Sequence, residues 1–277
     1  MYKALEGYLA EKYGARCAVL GGEDFLSCVV NKRRAEGYRS AIFAVFPYYS
    51  GGREGKISLY ARFEDYHEVI TRALCEAAKL YLPPDINYRA CADVSPLNEV
   101  RGAALSGLGC VGKNGLLITP EYGSYVFIGE LMLSCEAETS PGEISSCLEC
   151  GRCAGACPTG AIDGRGECLS SLTQKKRLTP EEEAVIAKCG MEWGCDRCQT
   201  VCPMNKNAKK TAIPEFSGMT VSEITEFDTA GLTDGEITEK YAHRAFTWRG
   251  AAVIRRNEAI VSGGAPLAED RSPDGGN

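Results

Sequence analysis

Two blocks of cysteines constrain this chain more than any hydrophobic pattern does. Cys147, Cys150, Cys153 and Cys157 run C-x2-C-x2-C-x3-C and end at Pro158; Cys195, Cys198 and Cys202 repeat a similar spacing and end at Pro203. Such runs are the ligand pattern of bacterial-type 4Fe–4S clusters. Three cysteines of one tight loop reach three irons of one cube, while the fourth, turned away at the proline, reaches the other cube. The blocks supply four thiolates and three, so one more is needed for two cubes, and Cys168 and Cys189 lie between the blocks. We assign Cys147, Cys150, Cys153 and Cys202 to one cluster, and Cys157, Cys195 and Cys198, completed by Cys168, to the other. Structural zinc sites use C-x2-C pairs but rarely three cysteines at this spacing before C-P. A chain with two such clusters moves electrons.

The remaining composition narrows the setting. The chain has 277 residues, 44% apolar and 25% charged, enough for a hydrophobic core beside the clusters. Its formal charge of −6 provides no bulk positive field for nucleic acid. The opening Met1-Tyr2-Lys3-Ala4-Leu5-Glu6 lacks the apolar core of a secretory signal. The apolar stretch Tyr125 to Leu133 contains Glu130 and is far too short to span a bilayer. Cytoplasmic, reduced and metal-loaded is the expected state, without a membrane partner.

Residues 1–13 read as a helix and Ala15 to Leu20 as a strand, with a stronger strand at Ala41 to Phe46. From Glu64 to Tyr81, apolar residues recur at helical spacing until Pro83-Pro84. Arg89 to Ala92 reads as a strand, and a helix is expected from Pro96 to Ser106. Leu116 to Ile118 and Ser124 to Leu133 read as a hairpin around Thr119 to Gly123. This mixture predicts an α+β domain over 1–138, followed by a ferredoxin-like double-cluster domain over 139–210. Helical signals over 211–262, clearest at Thr220 to Phe227 and Asp234 to Ala245, predict a segment packing on the core. The Gly, Pro and Asp tail 263–277 is expected to be disordered. Cys17, Cys28, Cys75, Cys91, Cys110, Cys135 and Cys189 are left over and read as small core residues.

Gly107-Leu108-Gly109-Cys110-Val111-Gly112-Lys113-Asn114 satisfies GxGxxG, but a helix precedes it and a strand follows, the reverse of a nucleotide-binding turn. Its glycines, with a buried lysine, point instead to close backbone approach. With Ala92-Asp93-Val94-Ser95-Pro96-Leu97-Asn98-Glu99 and Thr119-Pro120-Glu121-Tyr122-Gly123-Ser124-Tyr125, this run resembles the epoxyqueuosine reductases. Tyr60-Ala61-Arg62, Asp65-Tyr66-His67, Cys168 to Thr173, Gly194 to Pro203 and Trp248-Arg249-Gly250 with Arg256-Asn257 are similar to further motifs of that family. The resemblance runs from about residue 38 to 262. Phe63 and Glu64 depart from it, replacing the usual small and basic residues.

The resemblance implies a nitroreductase-like core that binds cobalamin, a double 4Fe–4S domain, and a reductase acting in tRNA queuosine synthesis. It implies Asp93 as proton donor, and Leu117, Ile128, Ser170, Cys198 and Gln199, with Arg62, against the corrin. An external low-potential donor supplies the electrons. The family usually continues into helical repeats that help hold tRNA, which leaves tRNA and a related small molecule both open as substrates. Asp93 is expected to be kept protonated by burial, with capping of the Pro96 helix as its alternative role. Asp65-Tyr66-His67 begins like the D-x-H-x-x-G cobalamin signature, but Ile70 stands where its glycine should be, so His67 reads as a packing residue. His243 reads as a surface residue, and Arg249, Arg255 and Arg256 as either a phosphate site or an exposed basic face. A two-cluster electron carrier without cobalamin and a reductive dehalogenase-like enzyme are the alternative functions.

Overall fold

The structure, a computed structural model, describes residues 2–263 except 53, 141, 143–145 and 219, with backbone alone at 226 and 227. The chain opens with α1 (Tyr2–Tyr13), β1 (Arg16–Gly21), α2 (Gly22–Cys28), α3 (Lys32–Ala35) and β2 (Ser40–Pro47). Next come α4 (Tyr66–Tyr81), β3 (Tyr88–Ala92), α5 (Glu99–Leu105), β4 (Cys110–Val111), β5 (Leu117–Ile118) and β6 (Val126–Leu133).

The strands form an antiparallel sheet in the order β1-β2-β6-β3, with β4 and β5 paired separately. All of β2 is buried, and its alternating side chains feed two cores. Ile42, Ala44 and Phe46 meet Leu5, Leu9 and Tyr13 of α1 and Ile70, Leu74 and Ala77 of α4. Ala41, Phe43 and Val45 meet Phe25 of α2 and Ala103 of α5 on the other face. Burial of a leucine such as Leu74 contributes about 1.5–3 kcal/mol. These apolar helix stripes fix which face each helix covers.

Two expectations change here. Leu117–Ile118 and Val126–Leu133 do not form a hairpin with each other. The first pairs with β4, and the second enters the sheet between β2 and β3, leaving only a bridge between Thr119 and Gly123. The helix expected at Pro96 begins at Glu99, because Asn98 caps it by accepting from the Arg101 amide at 3.1 Å.

The cysteine-rich stretch carries α6 (Arg152–Ala156), α7 (Leu169–Thr173), α8 (Pro180–Cys189) and α9 (Arg197–Thr200). After it come α10 (Pro214–Ser217), α11 (Glu226–Thr229), α12 (Asp234–Lys240) and α13 (Ala251–Ser262). Residues 220–225 are not helical, and the longest helix of this segment is α13. Ile224, Ile237, Phe246 and Ile254 close over Ile57, Ala61 and Trp193. Ile260 packs with Leu169, Leu172 and Ile186. At the centre of that contact Asn257, fully buried, donates to the carbonyls of Thr173 and Glu192, both at 2.7 Å. From residue 264 the expected tail lies outside the described residues. Among the described residues no helix is long and apolar enough to cross a membrane.

Candidate active site

The two cysteine blocks interleave in space. Cys147, Cys150 and Cys153 line one cavity together with Cys202. Cys157, Cys168, Cys195 and Cys198 line a second, of about 310 Å³. Each proline-terminated cysteine thus faces the cavity of the opposite block. Among the described residues no three metal-binding side chains gather around one point for a lone ion; the thiols ring cavities instead. Lys113 and Asn114 line both cavities and form part of the wall between them. Lys113 is half exposed rather than buried, 3.9 Å from Asp163. The glycines before it have a packing reason: a Cβ on Gly109 would lie 2.3 Å from the Ile118 carbonyl oxygen.

Buried polar contacts dock this region onto the sheet. Asp196, between two cysteines, accepts from the Ser58 hydroxyl at 2.5 Å and the Leu59 amide at 2.7 Å. It thereby holds the segment that carries Tyr60 and Arg62. Gln199 Oε1 accepts from Tyr48 at 3.2 Å and Ser124 at 3.0 Å, and Asn205 clasps the Ser124 amide at 2.7 Å. Such groups are stable out of water only because each finds a partner. The side chains of Gln199 and Arg62 are thus engaged within the protein. Arg62 donates to the carbonyls of Ile57 at 2.6 Å and Gly52 at 3.2 Å.

Asp93 follows β3 at the tip of a tight turn, in the left-handed region at φ +63°. Its carboxylate faces His67 Nε2 at 3.3 Å, while Asp65 faces His67 Nδ1 at 2.6 Å. An imidazole with a carboxylate on each nitrogen satisfies both only by donating from both, as the imidazolium. Burial opposes that charge, but the hydrogen bonds to Asp65 and Asp93 outweigh it and push His67 up to about 9. The His67 contact in turn holds Asp93 below its ordinary value, against the effect of burial. This corrects two expectations. The contact with His67 favours the ionised form of Asp93, whose side chain is 62% exposed, and His67, read as a packing residue, faces Asp93 and favours the proton.

Behind this pair lies a buried acid cluster. Glu130, fully buried at the centre of the sheet, accepts the Ser95 hydroxyl and is pushed up to about 8 by burial and then by Glu99. Glu99 is raised to about 7 by burial and then by Asp93. In front, His67, Tyr66 and Phe127 stack with centroids 4.0 and 4.1 Å apart. Tyr60 lies edge-on to Tyr66 at 6.4 Å. Its hydroxyl accepts from Trp193 at 3.0 Å and Gln174 at 3.3 Å, and also interacts with Ser170. Cys168 is the N-terminal cap of α7, the helix that carries Ser170. Side-chain contacts therefore lead from Ser170, two residues beyond Cys168 of the second cavity, through Tyr60 and Tyr66 to Asp93.

The other expected residues divide. Leu117 is buried, but Val126 and Ile128, on one face of the central strand β6, are only half buried. They pack against the same apolar cluster as Leu117, which lies three residues beyond Asn114 of the cavity wall. Arg255 and Arg256 form no phosphate site. Arg255 donates to Thr229 and Leu232 carbonyls and to Asp234, and Arg256 to the carbonyls of Lys175 and Lys176. His243 is exposed at the surface beside Glu68, at 3.0 Å. Cys17, Cys28, Cys91 and Cys110 are buried, while Cys75, Cys135 and Cys189 are partly so. Tyr60, Tyr66, Ser95, Glu99 and Glu130 escaped the sequence reading as site residues. The signals were the motifs that hold Tyr60, Tyr66, Ser95 and Glu99, and a glutamate in the middle of an apolar strand.

The sequence and the fold both match known proteins. Residues 31–93 match the family described as epoxyqueuosine reductase QueG (DUF1730), and residues 146–205 a 4Fe–4S double cluster binding domain. An epoxyqueuosine reductase from Gloeobacter violaceus is 34% identical over 96% of this chain and 91% of its own length. The chain belongs to the epoxyqueuosine reductase family. Another such reductase, from Lactococcus garvieae, is 38% identical over 79% of this chain, which spans 64% of that relative. An epoxyqueuosine reductase solved with an epoxyqueuosine-modified tRNA-Tyr stem loop superposes with a TM-score of 0.80 at 25% identity, covering 94% of this chain and 80% of that one.

Proposed function

We propose that this epoxyqueuosine reductase family member removes the oxygen of an epoxide reductively, with epoxyqueuosine in tRNA as its substrate. The observation that carries this is the connection between the second cysteine cavity and the Asp93–His67 pair through Ser170, Tyr60 and Tyr66. The reaction breaks both carbon–oxygen bonds, leaves a carbon–carbon double bond, and releases water at the cost of two electrons and two protons. Cys147, Cys150, Cys153 and Cys202 would hold one 4Fe–4S cluster, and Cys157, Cys168, Cys195 and Cys198 the other. An external low-potential donor, in the cytoplasm, supplies the electrons.

The core is proposed to be nitroreductase-like and to bind cobalamin. The partly exposed apolar side chains of Val126 and Ile128 would give a flat macrocycle an apolar contact. Ile128, Leu117, Ser170 and Cys198 would lie against it, with Arg62 and Gln199 supporting from behind. Cobalamin held there would supply low-potential, one-electron and carbon-directed nucleophilic cobalt chemistry. The chain's own residues do the proton work. His67 holds a proton against Asp93 up to about pH 9, so the pair can deliver it to the departing oxygen at neutral pH. Asp65 fixes the imidazole from behind. Tyr60, Tyr66 and Phe127 wall the site with aromatic surface and keep water from the reacting carbon.

The test is anaerobic turnover of epoxyqueuosine-bearing tRNA by reconstituted protein with a strong reductant, read by mass spectrometry. Product lacking one oxygen supports the reading. Cluster-replete protein that retains no cobalamin and forms no product would instead indicate an electron carrier.

A further inference from the structure

We propose that Trp248 is a stacking platform for an unpaired base of the RNA substrate, with Arg249, Lys176 and Arg177 taking the flanking phosphates. The proposal rests on the reading above and names where that substrate is gripped.

Of the chain's two tryptophans, Trp193 is 2% exposed, whereas Trp248 is 58% exposed. Yet Trp248 is held in place. Its ring nitrogen donates to Gln174 Oε1 at 3.3 Å, and the Arg249 guanidinium lies 3.6 Å over its ring. One face is thus occupied by a cation and the indole is oriented, an arrangement that suits a base on the remaining surface. Arg249 has no ion-pair partner among the described residues, and its buried Nε has no hydrogen-bond acceptor. Nε is closed off from solvent, so a phosphate would be taken by the terminal nitrogens of the guanidinium.

The same residues border a depression of about 410 Å³ lined by Cys168, Ser170, Ser171, Gln174, Lys175 and Arg249. Lys175 is held between the carboxylates of Glu167 and Glu182, at 2.5 and 2.7 Å, which take up its charge. Lys176 and Arg177 follow it in the chain and are exposed. Arg256 grips the carbonyls of Lys175 and Lys176 and so fixes this basic turn. A chain of net charge −6 would repel RNA broadly, so a local basic patch has to provide the attraction. The platform is also tied to the site: Gln174, which orients Trp248, donates its amide to the Tyr60 hydroxyl at 3.3 Å. A base stacked here lies beside the aromatic wall leading to Asp93.

The experiment measures anisotropy of a fluorescein-labelled anticodon stem-loop RNA titrated with cluster-reconstituted, cobalamin-free full chain. Trp248→Ala should weaken binding about tenfold or more, and Trp248→Phe should retain most of it. Arg249→Gln should reduce the salt dependence by about one phosphate contact. A fully paired RNA of equal length should bind more weakly than the stem-loop. The inference is overturned if Trp248→Ala binds the stem-loop as the native chain does, or if paired RNA binds equally well. It is also overturned if Trp248→Ala, reconstituted separately with cobalamin, loses only cobalamin retention. RNA binding as expected without turnover would fail the reductase reading alone. Turnover with unchanged KM in Trp248→Ala would fail this inference alone.

Discussion

Replacing Asp93 with Asn should move the titration of His67 by an amount that the two carboxylates set. His67 lies 2.6 Å from Asp65 and 3.3 Å from Asp93, and together they lift it from 6.5 to about 9 despite its burial. Asp93→Asn removes one partner and leaves the shorter contact. The midpoint should therefore fall by about one unit rather than return to its ordinary value. The linkage follows the same sign. Protonated His67 stabilises the fold fully below pH 6.5, and that contribution is lost as pH rises through about 9. With the His67 side chain 35% exposed, the free energy is well below the ~1.4 kcal/mol per unit of an unscreened group. The chain has two histidines, so nitrogen-15 NMR of labelled imidazoles resolves His67 from surface His243. A native His67 midpoint near 6.5, or one unmoved by Asp93→Asn, would refute the paired-acid reasoning. Native activity should also decline as pH rises through about 9.

Glu130→Gln should flatten the stability profile. Native Glu130 keeps a proton that the unfolded chain releases between 4.5 and about 8, so stability falls across that window by up to ~1.4 kcal/mol per unit. Gln still accepts the Ser95 hydroxyl, so its Tm advantage should grow from about pH 5 to about pH 8; parallel profiles would count against a neutral Glu130. Cys202→Ser should remove about half the iron and spare the cluster of Cys157, Cys168, Cys195 and Cys198, as EPR of the two centres would reveal. Lys113→Gln, which takes a cation from between the two cavities, should lower the cluster potentials by on the order of tens of millivolts in a redox titration.

What could be read from sequence was whatever depended on local spacing. The cysteine sets follow from loops a few residues long, and α4 follows from its repeating Ile70, Leu74 and Ala77. The sheet order could not be read this way. β6 looks like the partner of its sequence neighbour, Leu117–Ile118, but inserts between β2 and β3, whose apolar runs fit it equally well. Asp93 was legible through its motif and its charge state was not, because that depends on His67, 26 positions away. Glu130 reads as an interruption of an apolar run, and its meaning emerges only when Ser95 arrives from another strand's end. The arginines of α13 illustrate the same gap: an apparently basic face is consumed by carbonyls of distant turns.

The most direct test of the account counts electrons. Anaerobic protein loaded with both clusters and cobalamin, reduced and freed of excess reductant, is mixed with epoxyqueuosine-bearing tRNA. Oxidation of the clusters and of the cobalt, both read by EPR, is then compared with product by mass spectrometry. The account expects two electrons withdrawn per double bond formed, and the same withdrawal abolished in Asp93→Asn. Clusters and cobalt that stay reduced while product forms, or that oxidise without product, would contradict it.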